Sequence, residues 1–167
     1  MSTVAASPLP RCRLERPPVV RTLEFIAFRF PPGGAFSVGW PIEPGGVRLA
    51  EDDRPVLLHF APGRWLLPEP GADINALVAA AVVAGAGTVV DVSGRWQPLE
   101  LTGPGAHRLL AGAVDTAAVL GGRGCAALTI FDCPVVLARR ADGFALWVQA
   151  SYAHDLVAAI ERHQAPG

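Results

Sequence analysis

The chain has 167 residues, which is enough for one domain, or for two small closely packed halves, with a substantial core. Half of the residues are apolar and the formal net charge is −1, so no large basic field is present to attract nucleic acid. All basic residues are arginines, which we interpret as the codon usage of a GC-rich bacterial genome. The composition therefore favours a globular protein without a nucleic-acid partner.

The cysteines and the apolar runs indicate the cellular location of the protein. Its three cysteines are an odd number without a C-x-x-C pair, which is typical of a reducing compartment. The first residues lack the apolar stretch of a signal peptide. The longest apolar run, residues 77–90, is interrupted by Gly85 and Gly87 and is too short to cross a bilayer. We therefore expect a cytoplasmic protein that makes no membrane contact.

The first third of the chain predicts one strand between two irregular segments. Residues 1–22 are rich in proline and arginine without periodicity, so we expect a flexible or extended N-terminal arm. The apolar residues 23–30 predict the first strand. Residues 35–53 contain many glycines and prolines and predict a long loop with at most one short strand. Loops of that length usually carry function or contact a partner.

The middle of the chain predicts two hairpins, each followed by a helix. Residues 56–60 and 64–67 form the first hairpin, and Asp73 is the expected N-cap of the helix after it. Residues 88–101 alternate between apolar and polar on both sides of a Ser-Gly turn, which predicts a second hairpin. Pro104 suits the first position of the next helix, because that position needs no backbone N–H.

The last third predicts three strands and a helix. Residues 126–131, 135–140 and 144–149 have strand patterns, and Ser151 is the expected cap of the final helix. A weak repeat relates this part to the first hairpin, at an offset of about 80 residues, because each hairpin precedes a helix. The repeat predicts an α+β fold in which two ferredoxin-like hairpin–helix units, in the alpha-beta plait style, form one compact domain. We expect a mixed or antiparallel sheet with helices on one face.

Residues that could carry chemistry do not form a recognisable catalytic or metal site. The four histidines share no ligand spacing, and a metal site needs three or four converging ligands. Cys125 and Cys133 lack a neighbouring base and are predicted to be small buried apolar residues. Asp91 and Asp132 could face each other across a sheet, but aspartates near turns usually accept hydrogen bonds from backbone N–H groups. We therefore predict no catalytic, cofactor-binding or metal residue in this chain.

Two predicted strands place tryptophans on the face opposite the core leucines. Alternation along residues 95–101 and 144–149 leaves one tryptophan of each strand pointing away from those leucines. Exposed aromatic side chains beside arginines are typical anchors of protein–protein contacts. The alternative is that another segment of the same chain covers these residues. The candidate partner interface consists of Arg95, Trp96, Glu100, Trp147 and Gln149.

From about Arg64 to its end, the chain resembles the gamma subunit of heterotetrameric sarcosine oxidase. The similar pieces are APGRWLLP, VVDVSGRWQPLELTGPGAHRLLAGAVD, GCAALTI and FALWVQASYAHDL, at residues 61–68, 89–115, 124–130 and 144–156. That family usually has an arginine where this chain has Ala150, so a contact at this point is not carried over. The first third of the chain has little similarity to the family.

The gamma subunit is in turn similar to the folate-binding fold of the glycine-cleavage aminomethyltransferase. The D-x-S and G-P-x-A motifs of that fold are matched by Asp91, Ser93, Gly103, Pro104 and Ala106. Its Asp-Asp pair is matched by Asp132-Cys133, and its later asparagine by Gln149, so two folate-binding groups differ. The resemblance therefore implies the scaffold without the folate chemistry.

The resemblance implies a non-catalytic subunit of a flavoenzyme complex that oxidatively demethylates sarcosine. It implies one gamma-like domain at residues 23–167, with halves of about 23–88 and 89–165. The expected partners are larger flavin-bearing alpha- and beta-type subunits and a small delta-type subunit, which would hold FAD, FMN, NAD and tetrahydrofolate. Two alternatives stay open: a gamma-like subunit of a related N-methyl amino acid or amine dehydrogenase, and a stand-alone folate-binding module.

Overall fold

The computed structural model describes residues 12–28 and 40–164, which form ten strands and four α-helices. In chain order these are β1 (Arg13–Glu15), β2 (Thr22–Ala27), β3 (Val47–Leu49), β4 (Pro55–Ala61), β5 (Arg64–Pro68), α1 (Ala72–Val83), β6 (Gly87–Asp91), β7 (Trp96–Thr102), α2 (Ala106–Ala111), α3 (Thr116–Leu120), β8 (Cys125–Ile130), β9 (Cys133–Arg140), β10 (Gly143–Gln149) and α4 (Ala153–Gln164). The predicted α+β class is confirmed.

The strands form two five-stranded sheets instead of one shared sheet. The N-terminal sheet has the order β3-β4-β5-β2-β6, and the C-terminal sheet has the order β8-β9-β10-β7-β1. Every strand pair in both sheets is antiparallel. The two sheets have equivalent strand orders, because β3, β4, β5 and β2 hold the positions that β8, β9, β10 and β7 hold in the other sheet. In each sheet a hairpin is followed by a helix: β4, β5 and α1 in one, β9, β10 and α4 in the other. The C-terminal sheet is completed by the edge strand β1, which precedes both hairpin–helix units in the chain.

The two sheets pack face to face, and the helices cover their outer faces. The core between the sheets combines Leu58 and Leu66 of one sheet with Trp96, Val136 and Trp147 of the other. A second core lies under α1 and a third under α2 and α4. The central strands β5, β9 and β10 therefore present mainly apolar residues on both a helix-facing side and a sheet-facing side. The central strand β10 is buried along almost its whole length.

The predicted hairpin at residues 88–101 is wrong. β6 pairs with β2 in the N-terminal sheet, whereas β7 pairs with β10 and β1 in the C-terminal sheet. The Ser93-Gly94 turn therefore carries the chain from one sheet to the other. Val92, just before this turn, is buried in the core between the sheets. The alternation identified both strands correctly, but it held no information on their partners.

Several helix starts differ from their predicted positions. The N-cap of α1 is Gly71, and Asp73 lies in the first turn, where its carboxylate accepts a hydrogen bond from Arg48 at 2.8 Å. α2 begins two residues after Pro104, because residues 103–106 form a turn. A short 3-10 turn contains Ser151 and precedes α4. The helix α3 was not predicted, although Asp115 caps it by accepting hydrogen bonds from two backbone N–H groups.

The N-terminal predictions fall partly on the described residues. Residues 1–11 lie outside them, and residues 13–15 are extended and pair with β7. The first strand is β2, and residues 29–30 of the prediction lie outside the described part. Residues 35–39 of the predicted loop also lie outside it, and its remainder contains β3 as a single short strand. Within residues 12–28 and 40–164, no helix combines the length and the apolar character needed to cross a membrane.

Candidate functional site

The two tryptophans predicted to be exposed are buried between the sheets. Trp96 and Trp147 are each only 5% exposed and pack in one cluster with Leu58 and Leu66. The predicted exposure is wrong because the N-terminal sheet covers the second face of the C-terminal sheet. Neither indole Nε1 has a hydrogen-bond acceptor within the described residues. In the folded chain these two side chains are core residues.

The other three residues of the candidate interface lie around the ends of this core. Arg95 is exposed, and its guanidinium lies 5.5 Å from the centroid of the Trp96 ring. Glu100 is half-buried and accepts a hydrogen bond from Arg140 at 2.8 Å. Gln149 is half-buried and lies opposite Trp96 in the β7–β10 ladder. A partner contact through Arg95, Glu100 or Gln149 stays a prediction.

A buried carboxylate also lies on the inner face of the N-terminal sheet. The Glu24 side chain is 2% exposed and forms ion pairs with Arg64 and with Arg95, the latter at 3.8 Å. Arg64 in turn lies over the ring of Phe60, 5.3 Å from its centroid. Because both arginines are partly exposed and the carboxylate is not, removing an arginine would leave a buried charge poorly compensated. This cluster joins the two sheets, and we assign it a structural role.

The aspartates considered for chemistry lie at two different turns. Asp91 Oδ1 accepts hydrogen bonds from the Ser93 backbone N–H at 3.0 Å and from Ser93 Oγ at 2.6 Å, which lowers the pKa of Asp91. Ser93 Oγ also accepts from the Thr22 backbone N–H at 2.9 Å. Asp132 lies in the β8–β9 turn with a φ of 62°. The two carboxylates therefore do not face each other, and the D-x-S motif stabilises the passage between the sheets.

The buried cysteines and the buried histidine lack the features of reactive groups. Cys125 and Cys133 are buried, as predicted, and burial raises the pKa of the Cys125 thiol to about 12. Its reactive thiolate is therefore scarce near neutral pH. His59 is buried and stacks on Trp65 with ring centroids 4.2 Å apart, and burial lowers its pKa. Among the described residues, no three His, Cys, Asp or Glu side chains are placed to hold a metal ion.

A groove of about 600 Å³ crosses the junction of the two halves, and we call it the arginine groove. Residues 43–47, Leu49 and Asp53 line it from the N-terminal half, and residues 122–124 and 139–141 line it from the C-terminal half. The glycine-rich residues 121–124 follow α3 and lead into β8. They form a loop and one wall of this groove. Part of the predicted long loop at residues 35–53 forms the other wall.

The outer surface of α1 and the neighbouring edge strand exposes several apolar residues. The solvent-facing residues of α1 include Ala76, Ala79, Ala80 and Val83, and Val83 is 89% exposed. The equivalent helix, α4, exposes mainly charged and polar residues. The edge strand β6 has β2 as its only strand partner in the described residues, and two of its valines are exposed. Apolar helix faces and open sheet edges are typical of surfaces that contact another protein.

Comparison with known proteins finds a match at the level of structure. No protein-family model matches the chain, and no curated protein matches it significantly. A chain of the heterotetrameric sarcosine oxidase from Corynebacterium sp. U-96, solved in complex with pyrrole 2-carboxylate, superposes with a TM-score of 0.72 at 22% sequence identity. The superposition covers 97% of this chain and 89% of that chain. The resemblance stated from the sequence is thus confirmed for the fold: this protein has the fold of a chain of heterotetrameric sarcosine oxidase.

Proposed function

We propose that this protein is a small, gamma-type subunit of a heteromeric flavoenzyme related to heterotetrameric sarcosine oxidase, with a structural role in assembly. The observation that carries the proposal is the near-complete superposition in both directions, over 97% of this chain and 89% of the other. The chain thus superposes on almost the whole of one chain of a heterotetrameric enzyme.

The surface supports a role in assembly. The outward face of α1 carries alanines and valines where α4 carries charged residues, although the two helices hold equivalent positions in their sheets. An exposed apolar helix face costs solubility unless a partner covers it. The unpaired side of β6 offers a second contact, because backbone groups at a sheet edge can pair with a strand of another chain. We propose that the larger subunits cover these surfaces.

The proposal places the chemistry in the partner subunits. Larger alpha- and beta-type subunits would bind the flavins and NAD, and they would choose between sarcosine and another N-methylated amino acid or amine. Two carboxylates of the described residues argue against a folate site here: Asp132 lies in an exposed turn, and Glu24 is buried and paired with arginines. We therefore also propose that tetrahydrofolate binds elsewhere in the complex, and that the complex is cytoplasmic.

We expect the recombinant chain alone to be colourless, inactive toward sarcosine and unable to bind tetrahydrofolate tightly. Absorption spectra after gel filtration, an oxidase assay and calorimetry test these three points. A flavin spectrum that survives gel filtration would contradict the assembly role. Micromolar folate binding that is abolished by Asp132→Asn, and kept by the control Asp155→Asn on α4, would instead favour a folate-binding module.

A further inference from the structure

We propose that His59 is an acid-sensitive latch, which holds residues 40–46 on the N-terminal sheet while its imidazole is neutral and releases them when it is protonated. We call residues 40–46 the latch segment. Residues 43–46 of it line the arginine groove, so the latch controls the shape of that groove. The inference goes beyond the proposed function and does not rest on it, because it concerns a conformational change within this chain.

The His59 ring is buried where the latch segment packs on the sheet. His59 is 0% exposed, and its ring stacks on Trp65 with centroids 4.2 Å apart. Trp65 Nε1 donates a hydrogen bond to the carbonyl oxygen of Pro41 at 3.0 Å. The ring of Trp40 meets Trp65 edge-on, with centroids 5.4 Å apart. A change at the His59 ring therefore reaches the first residues of the latch segment through Trp65.

The His59 backbone holds the other end of the latch segment. Its carbonyl accepts a hydrogen bond from the Gly45 N–H at 2.7 Å, and its own N–H donates to the Gly46 carbonyl at 3.0 Å. The Gly45 carbonyl accepts hydrogen bonds from the backbone N–H groups of Gly124 and Cys125, at 2.9 and 3.0 Å. Because these bonds join β4 to the start of β8, release of the latch segment also loosens the junction of the two halves.

The charges around the His59 ring are paired with each other or screened by water. The charged and titratable groups of the surrounding elements are Glu43 in the latch segment, Arg48 in β3, Asp73 in α1, Arg123 just before β8, Cys125 in β8, and Arg64 with Glu24 across the sheet. Arg48 pairs with Asp73 at 2.8 Å, and Arg64 pairs with Glu24. Glu43 and Arg123 are exposed, where water screens their charges. Burial raises the pKa of the Cys125 thiol to about 12, so this thiol stays neutral.

Burial makes the protonated imidazole unfavourable in the folded chain. It lowers the pKa of His59 below the ordinary value of 6.5, and the backbone carbonyls of residues 41–43 and 61 offset only part of this effect. A ring exposed to water regains the ordinary pKa, so the open form binds a proton that the closed form does not. The stability that neutral His59 gives to the closed form is thus complete above pH 6.5 and is lost as the pH falls below it.

Native-state hydrogen exchange of the full-length chain, at about pH 7.5 and about pH 5.5, tests the proposal. After correction for the intrinsic exchange rates, we expect the protection of the Gly45, Gly124 and Cys125 amides to fall about three- to tenfold at the lower pH. Tenfold is about the limit for one group with the ordinary pKa of histidine over this range. Because the opening is local, low urea should hardly accelerate exchange of these amides, whereas it should accelerate exchange in the central strand β10.

Two sets of variants isolate His59 from the other histidines. His59→Phe keeps an aromatic ring on Trp65 and removes the titration, so the corrected protection should be the same at both pH values. His59→Gln removes the titration without the bulk of a phenyl ring. The matched control combines His107→Gln, His154→Gln and His163→Gln, which are exposed positions, and should keep the pH dependence of the wild-type chain.

The wild-type chain and the control decide the proposal even if neither His59 variant folds. Equal protection of the latch amides at both pH values in the wild-type chain would overturn it, and so would an unchanged pH dependence in His59→Phe. Loss of the pH dependence in the control would assign the effect to an exposed histidine and overturn the latch. Exchange of the latch amides through the same urea-dependent opening as β10 would show that acid destabilises the whole fold without releasing the segment, which would also overturn it. The proposed function stands or falls separately, on recovery of the partner subunits.

Discussion

Replacement of Trp147 by alanine is expected to lower the free energy of unfolding by about 3–5 kcal/mol, the cost of removing a buried tryptophan from a packed core. Trp147 lies in β10, between β7 and β9, with Pro98 and Val136 as its cross-strand neighbours. Its indole has no hydrogen-bond acceptor within the described residues, so the expected loss comes from packing between the sheets. Urea denaturation of the isolated chain measures it.

Trp147→Phe is the matched control, because it keeps an aromatic ring in the same place. We expect it to cost less than half as much as the alanine variant, since a smaller cavity remains. Assembly with partner subunits should follow the folded fraction in both variants. If Trp147→Ala left the unfolding transition unchanged and removed only the partner, the indole would be an exposed anchor, and the packing of the two sheets described above would be wrong.

Gly143→Ala is expected to destabilise the fold by about 3 kcal/mol or more, through backbone strain and a steric clash that add together. Gly143 begins β10 with a φ of +156°, and a Cβ atom there would lie 2.1 Å from the carbonyl oxygen of Leu101. That oxygen belongs to the paired strand β7, so it cannot move away without breaking the β7–β10 ladder. The same urea denaturation measures the effect.

Gly94→Ala controls for the general effect of adding a methyl group. A Cβ atom at Gly94 would have no atom within 4 Å, and its φ lies outside the left-handed region. We therefore expect a change within about 0.5 kcal/mol, or a slight gain from the stiffer unfolded chain. Equal stabilities of the two alanine variants would mean that the β7–β10 pairing near Gly143 differs from the one described.

Local patterns predicted the elements better than their partners. The two hairpins that precede α1 and α4 were predicted correctly, because short turns between apolar runs bring neighbouring strands together. The hairpin at residues 88–101 was wrong, because the partners of β6 and β7 lie far away in the sequence: β2 on one side, β10 and β1 on the other. The short helix α3 was missed because its five residues give too little periodicity.

The tryptophans show how far a strand pattern can predict a surface. The alternation correctly placed Trp96 and Leu99 on opposite faces of β7. It cannot distinguish a face exposed to solvent from a face covered by a second sheet. Glu24 shows the same limit: it alternates with Leu23 and Phe25, which predicts an exposed side chain, and yet it is buried. The cysteines were predicted correctly, because small apolar residues in strands are usually buried.

No single segment of the sequence predicted the arginine groove. Gly45 and Arg123 are far apart in the sequence and meet only because the two sheets pack together. The long loop was identified as a place for partner contact, and the structure places residues 43–47 of it in the groove wall. Which residues of the two halves line one groove depends on how the sheets pack, so this part of the candidate site required the structure.

Isolation of the tagged full-length chain from its own cells, under native conditions, tests the assembly role most directly. Size-exclusion chromatography, the flavin spectrum and an assay with sarcosine and other N-methylated amino acids are applied to the same fractions. The account predicts that the chain elutes in a much larger complex, and that its peak coincides with flavin absorbance and with oxidation of an N-methylated substrate. Elution of the folded chain at the mass of a single copy, in fractions without flavin or activity, would contradict it.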